Sequence, residues 1–99
     1  MDLNLSKKVI IVTGGASGIG ESIAREAARE GASLAIVDLS EDALTHITRE
    51  LQEKGSDVLA LRADLVNPES CREAVNKAGE FFGKIDCLVN NAGLNDGVG

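Results

Sequence analysis

The chain has 99 residues, room for one small domain whose stability is marginal because so much surface stays exposed. Hydrophobic residues make up 43% and charged residues 26%, a globular rather than disordered balance. Aromatics are only 2%, so the core must be built from Val, Ile, Leu and Ala. The net charge of −6 argues against a nucleic-acid or anionic-membrane surface, so any bound phosphate must be held mainly by backbone N–H groups and helix dipoles.

Residues 8–13 (Lys-Val-Ile-Ile-Val-Thr) are a continuous apolar run ending at Gly14, the pattern of a strand buried on both faces. Ile19, Ile23, Ala24, Ala27 and Ala28 then recur at helical spacing, with Glu21, Arg25 and Arg29 on the other face and Gly31 where the helix ends. Ser33, Leu34, Ala35, Ile36 and Val37 read as a second buried strand, closed by Asp38. Ser40 caps a second helix, and Glu41 and Asp42 suit its positive N-terminal end. The apolar stripe of this helix is Ala43, Leu44, Ile47 and Leu51, Glu50 and Lys54 form an i,i+4 pair, and Gly55 ends it. Val58, Leu59, Ala60 and Leu61 give a third strand. Asn67-Pro68 is an N-cap with proline at the first helical position. The third helix carries Cys71, Ala74, Val75, Ala78 and Phe82 on one face and stops at Gly83. Ile85, Asp86, Cys87, Leu88 and Val89 form the fourth strand.

The order βαβαβαβ implies an α/β fold with a parallel sheet between two helical layers, because parallel neighbours need crossover connections. Right-handed crossovers predict a Rossmann-type, doubly wound sheet in the order 3-2-1-4. Its switch point lies between the first and fourth strands, so residues 14–20 and 90–93 should face one crevice beyond the strands' carboxyl ends.

The strongest local signal is residues 13–20, Thr-Gly-Gly-Ala-Ser-Gly-Ile-Gly, between a buried strand and an amphipathic helix. A pyrophosphate held at a helix N-terminus must approach backbone N–H groups closely, where roughly half a positive charge resides. Side chains at Gly14, Gly18 and Gly20 would block that approach or the turn beneath it, and Ser17 and Ile19 complete the cradle. No Lys follows the last glycine, since Glu21 stands there, which excludes a Walker phosphate loop. Asp38 ends the second strand where a dinucleotide fold places an acid on the adenosine ribose, with Leu39 beside it. Asn90 and Asn91 can tie neighbouring strands and the glycine loop by side-chain hydrogen bonds, and Ala92 and Gly93 are small where a cofactor must pass.

The spacing Thr-Gly-x-x-x-Gly-x-Gly, followed in order by Asp38, Asp64 and Asn-Asn-Ala-Gly at 90–93, resembles the short-chain dehydrogenase/reductase family. The resemblance runs from Lys8 to Gly93. It implies that Asp64 and Leu65 bracket an adenine. Relatives that prefer NADP tend to carry Lys or Arg where this chain has Gly15, Ala16, Ser17 or Leu39, so the resemblance implies NAD over NADP. It also implies an oxidoreductase that transfers hydride between an alcohol or sugar and a nicotinamide cofactor, in a homo-oligomer. The family's Tyr acid/base, the Lys four residues after it, its Ser and its helical Asn all follow the Asn-Asn-Ala-Gly element. This chain has no Tyr and ends six residues past Gly93. No catalytic residue is therefore assigned. Residues 1–99 are expected to be the N-terminal part of one NAD-binding domain whose remainder is absent, inactive by itself, with a bare edge on the fourth strand and an uncovered apolar patch. The finer resemblance of residues 1–5 and 90–97 is to a bacterial branch like the L-fucose dehydrogenases. Two alternatives stay open, a non-catalytic nucleotide-binding module and a structural fragment without ligand.

The remaining candidates read plainly. His46 is a surface histidine without ligand-spaced neighbours, and no metal site is expected. Glu41 and Asp42 are helix-start acids. Cys71 and Cys87 read as reduced packing thiols, Cys87 buried in its strand, which with a polar start lacking a signal-peptide pattern suggests a cytoplasmic protein.

Overall fold

β-Branched and aliphatic runs with no polar interruption are stable as strands only when covered on both faces, and that demand sets the architecture. The computed structural model describes residues 5–16 and 18–91. Four strands, β1 (Val9–Thr13), β2 (Ser33–Asp38), β3 (Val58–Arg62) and β4 (Cys87–Asn90), alternate with three helices, α1 (Gly18–Arg29), α2 (Glu41–Glu53) and α3 (Pro68–Phe82). The sheet is parallel throughout in the order β3-β2-β1-β4, as the alternation predicts. Strand residues alternate between the two faces. Ile10, Val12, Leu34 and Ile36 pack with Ala24 and Ala27 of α1 and Leu44, Ile47 and Leu51 of α2. Ile11, Ala35 and Val37 pack against Ala74 and Ala78 of α3. The result is three layers, with β1 and β2 buried at the centre.

The caps act where the sequence places them. Ser40 Oγ accepts from the Ala43 amide at 3.3 Å, and Asn67 Oδ1 accepts from the Glu69 and Ser70 amides at 3.0 and 3.3 Å. These bonds satisfy N–H groups that the first helical turn leaves without partners. Between α1 and α2, Arg25 makes a two-pronged contact with Glu50 at 2.8 and 3.0 Å, while Glu21 and Lys54 extend the network.

Three expectations change. The fourth strand starts at Cys87 rather than Ile85, because the Asp86 carboxylate turns aside to accept the Val9 amide at 2.8 Å and the Lys84 ammonium at 3.0 Å. Cys87 is exposed rather than buried: β4 pairs only with β1 among the described residues, which leaves its other edge uncovered by a strand. Leu88, on the opposite face of β4, is 50% exposed, and Ile85 and Phe81 are exposed as well. Ile19 does not join the helical apolar stripe and is 56% exposed, since the first turn of α1 rises past the end of the sheet.

The hydrogen bond from Arg25 holds the Glu50 carboxyl below the usual carboxylate range, and the Val9 amide, with Lys84 second, does the same for Asp86. Carboxylates lowered in the folded state stabilise it above their unfolded values, near pH 4, and that stability is lost as pH falls through the folded values. Urea unfolding between pH 7 and pH 3 is expected to show falling stability across the acid limb. Asp86→Asn is expected to lower stability at pH 7 and flatten that limb, and an unchanged pH dependence would contradict the assignment.

Candidate functional site

The loop between β1 and α1 divides its backbone amides between two directions. The Gly14 and Gly15 amides donate back to the Val37 carbonyl at 2.7 and 3.4 Å, and the Ala16 amide donates to Asp38 Oδ2 at 3.1 Å. The end of β2 therefore consumes the first three. Among the described residues, none accepts from the amides of Gly18, Ile19 or Gly20, which open α1. Those amides sit at the positive end of a 12-residue helix dipole beyond the carboxyl end of the sheet.

Two glycines explain the geometry. Gly20 has no room for a side chain: a Cβ there would collide with the Gly14 carbonyl and come within 2.7 Å of Asn91 Nδ2. Gly18 has a left-handed φ of 60°, and a Cβ on it would meet nothing within 4 Å. Gly20 is thus glycine for packing, and Gly18 faces open space. Gly14 also takes a positive φ, 67°, at the turn itself.

On the opposite side of β1, Thr13 links the loop to β4. Its hydroxyl donates to Asn90 Oδ1 at 3.0 Å and accepts from the Asn91 amide at 3.1 Å. Asn91 is fully buried, and its Nδ2 donates to the Gly14 carbonyl at 3.2 Å. Its Oδ1 is buried with no partner among the described residues. The two asparagines do the tying that the sequence suggested, with Asn91 making the closer bond to the loop. Thr13 opens the glycine motif in the sequence; its bonds to Asn90 and Asn91 come from the β1–β4 register.

Asp38 is half-buried, and its carboxylate is oriented by three amides. Besides Ala16, Leu39 and Ser40 donate to Oδ1 at 2.7 and 3.2 Å. A carboxylate has about four acceptor positions, so some capacity remains. Leu39 is exposed at the lip. The Ala63 amide donates to the Asp38 carbonyl at 3.0 Å, which brings the segment after β3 to the same side. Asp64 there is exposed, with Oδ1 accepting the Val66 amide at 3.1 Å, and Leu65 packs partly against the α3 side of the core. Asp64 is therefore a turn former with its second oxygen uncommitted, and Leu65 is anchored by packing. Ser17, Ala92 and Gly93 lie outside the described residues, as do the N-terminal residues and 94–97 that carry the finer branch resemblance. Among the described residues no three His, Cys, Asp or Glu gather as metal ligands, and His46 is exposed. No described helix is long and apolar enough to cross a membrane.

The comparisons agree with this geometry. Residues 8–99 match the family model for short chain dehydrogenase. The 11-beta-hydroxysteroid dehydrogenase A of Sesamum indicum is 41% identical over 92 residues, covering 92% of this chain and 26% of that protein. The L-sorbose reductase of Gluconobacter frateurii, solved with NADPH and L-sorbose, superposes with a TM-score of 0.87 at 42% identity, over 93% of this chain and 35% of that one. A short chain dehydrogenase/reductase of Burkholderia phymatum, solved with NAD, superposes with a TM-score of 0.82 at 31% identity, over 87% and 31%. The chain belongs to the short chain dehydrogenase family. It spans about a quarter to a third of the length of these relatives.

The two glycines separate folding from binding. Gly20→Ala is expected to cost about 3 kcal/mol in urea unfolding, since rigid backbone must shift to admit the methyl. Gly18→Ala is expected to cost only about 1 kcal/mol, the strain of its left-handed backbone. Equal losses at the two positions would contradict the distinction.

Proposed function

We propose that this chain is the dinucleotide-holding part of an NAD-dependent oxidoreductase acting on an alcohol or sugar. The observation that carries the reading is the row of uncommitted amides at Gly18, Ile19 and Gly20 beside open space at Gly18. The open space at Gly18, where a Cβ would meet nothing within 4 Å, leaves room for an anion against those amides. In this reading Gly14 and Ser17 shape the turn, and the α1-opening amides hold the pyrophosphate. Asp38 accepts from the ribose hydroxyls with its remaining acceptor capacity, Leu39 covers the ribose and base, and Asp64 and Leu65 bracket adenine. Asn90, Ala92 and Gly93 form the far wall. The nicotinamide, when bound, supplies hydride acceptance and donation. The described residues bind and orient; none is assigned a proton-transfer role.

Residues 1–99 are, in the same proposal, the opening portion of one larger domain, a reading supported by the share of each relative that they span. Homo-oligomeric assembly and kinship to L-fucose dehydrogenases belong to it too; the sugar bound by the Gluconobacter enzyme supports the substrate class. Two cysteines without disulfide partners suit the reducing cytoplasm.

Isothermal titration of the protein with NAD and with NADP tests the reading. NAD is expected to bind the more tightly, and Asp38→Ala is expected to bring the two affinities together. Tighter binding of NADP by the unaltered protein would overturn the role of Asp38. Gly18→Ala should weaken NAD binding at least about tenfold in a variant that still folds, the loss of one or more charge-assisted amide contacts. Unchanged NAD affinity in that variant would remove the pyrophosphate from this helix end.

A further inference from the structure

The parallel register sets Arg62, the last residue of β3, directly beside Asp38, the last residue of β2. An acid and a cation thus finish neighbouring strands at the same edge of the crevice. Arg62 Nε donates to the Leu39 carbonyl at 3.1 Å, which pins the guanidinium next to the residue that follows the acid. The side chain is exposed, and among the described residues Arg62 forms no ion pair and its terminal amines meet no acceptor. Arg25, Arg29 and Arg72 each place one terminal nitrogen on an acid, whereas Arg49, like Arg62, has no ion pair among the described residues. Asp38, for its part, already accepts three backbone amides. Its charge is therefore partly compensated before any ligand arrives, and Arg62 adds a guanidinium to a corner whose chain also carries Asp64 after β3 and Glu41 and Asp42 at the start of α2.

We propose that Arg62 is a specificity-determining residue that offers its free amines to a phosphate on the 2′-oxygen of the adenosine ribose. The preference for NAD set by Asp38 is then shallow, and NADP is accepted as well. The proposal rests on the dinucleotide reading of the site. Its physical basis is that a guanidinium presents donors in a planar fork suited to phosphate, and that one nitrogen fixed on a carbonyl reduces the freedom lost on binding. Arg62 offsets part of the repulsion that Asp38 and its acidic neighbours exert on a 2′-phosphate. A lysine or arginine in the glycine loop or at Leu39 is not needed for this. The strand register supplies the cation from β3.

The competing role for Arg62 is a clasp that merely steadies the Leu39 backbone. Titrating NAD and NADP separately into the protein and its Arg62→Gln and Arg62→Lys variants distinguishes the two. In the unaltered protein the NADP dissociation constant is expected within about tenfold of that for NAD. Arg62→Gln should weaken NADP about tenfold, the loss of one charge-assisted contact, and leave NAD within about twofold. Arg62→Lys should recover most of the NADP affinity, and raising the salt concentration should shrink the difference between unaltered protein and Arg62→Gln. Equal weakening of both cofactors, or no change in either, overturns the proposal while the dinucleotide site stands. Failure of the unaltered protein to bind either cofactor overturns the site reading and this inference with it.

Discussion

The Gly14 carbonyl is the point on which the rest of the structure depends. It ends β1, lies against the bare Cα of Gly20 in α1, and accepts the side-chain amide of Asn91 beyond β4. Three elements meet there with no side chain to spare. The close approach lets the first turn of α1 stand directly over the strand end, and so aims its amides into the crevice instead of into the core.

A second constraint follows from how those partners are shared. The end of β2 takes the loop's first amides, two on the Val37 carbonyl and one on Asp38. This has two effects at once. It locks the loop to the sheet, and it orients the Asp38 carboxylate at the crevice lip, where the amides of Leu39 and Ser40 hold it as well. Folding and recognition therefore use the same hydrogen bonds, and what the loop leaves uncommitted is the row that opens the helix. The net charge of −6 fits the proposed arrangement, in which an anion would be held by backbone dipoles rather than by general attraction.

Much of this was legible in the sequence because the signals were local. Uninterrupted runs such as Val9–Thr13 require cover on both faces, and caps such as Ser40 and Asn67 have short-range mechanisms. The glycine spacing announced a turn into a helix whose amides must stay clear. What could not be read depends on neighbours in space. Periodicity placed Ile19 on the apolar stripe but carries no information on where a helix overhangs its sheet. The apolar pattern of β4 reads Cys87 as buried, yet Cys87 is exposed because burial is decided by what packs alongside. Arg62, beyond the strand read at residues 58–61, lies beside Asp38 only through the β2–β3 register, which local pattern does not carry. Asp64, read as an adenine contact only through the resemblance, forms a turn in which one of its two carboxylate oxygens is used.

The central claim is that the amides of Gly18, Ile19 and Gly20 are kept free for a diphosphate while those of Gly14, Gly15 and Ala16 are spent on β2. Following backbone amide resonances of the nitrogen-15-labelled protein during addition of NAD tests it residue by residue. The account predicts large shifts at Gly18, Ile19 and Gly20, with much smaller ones at Gly14, Gly15 and Ala16. Saturation with NAD that leaves the three helix-opening amides unmoved would contradict it.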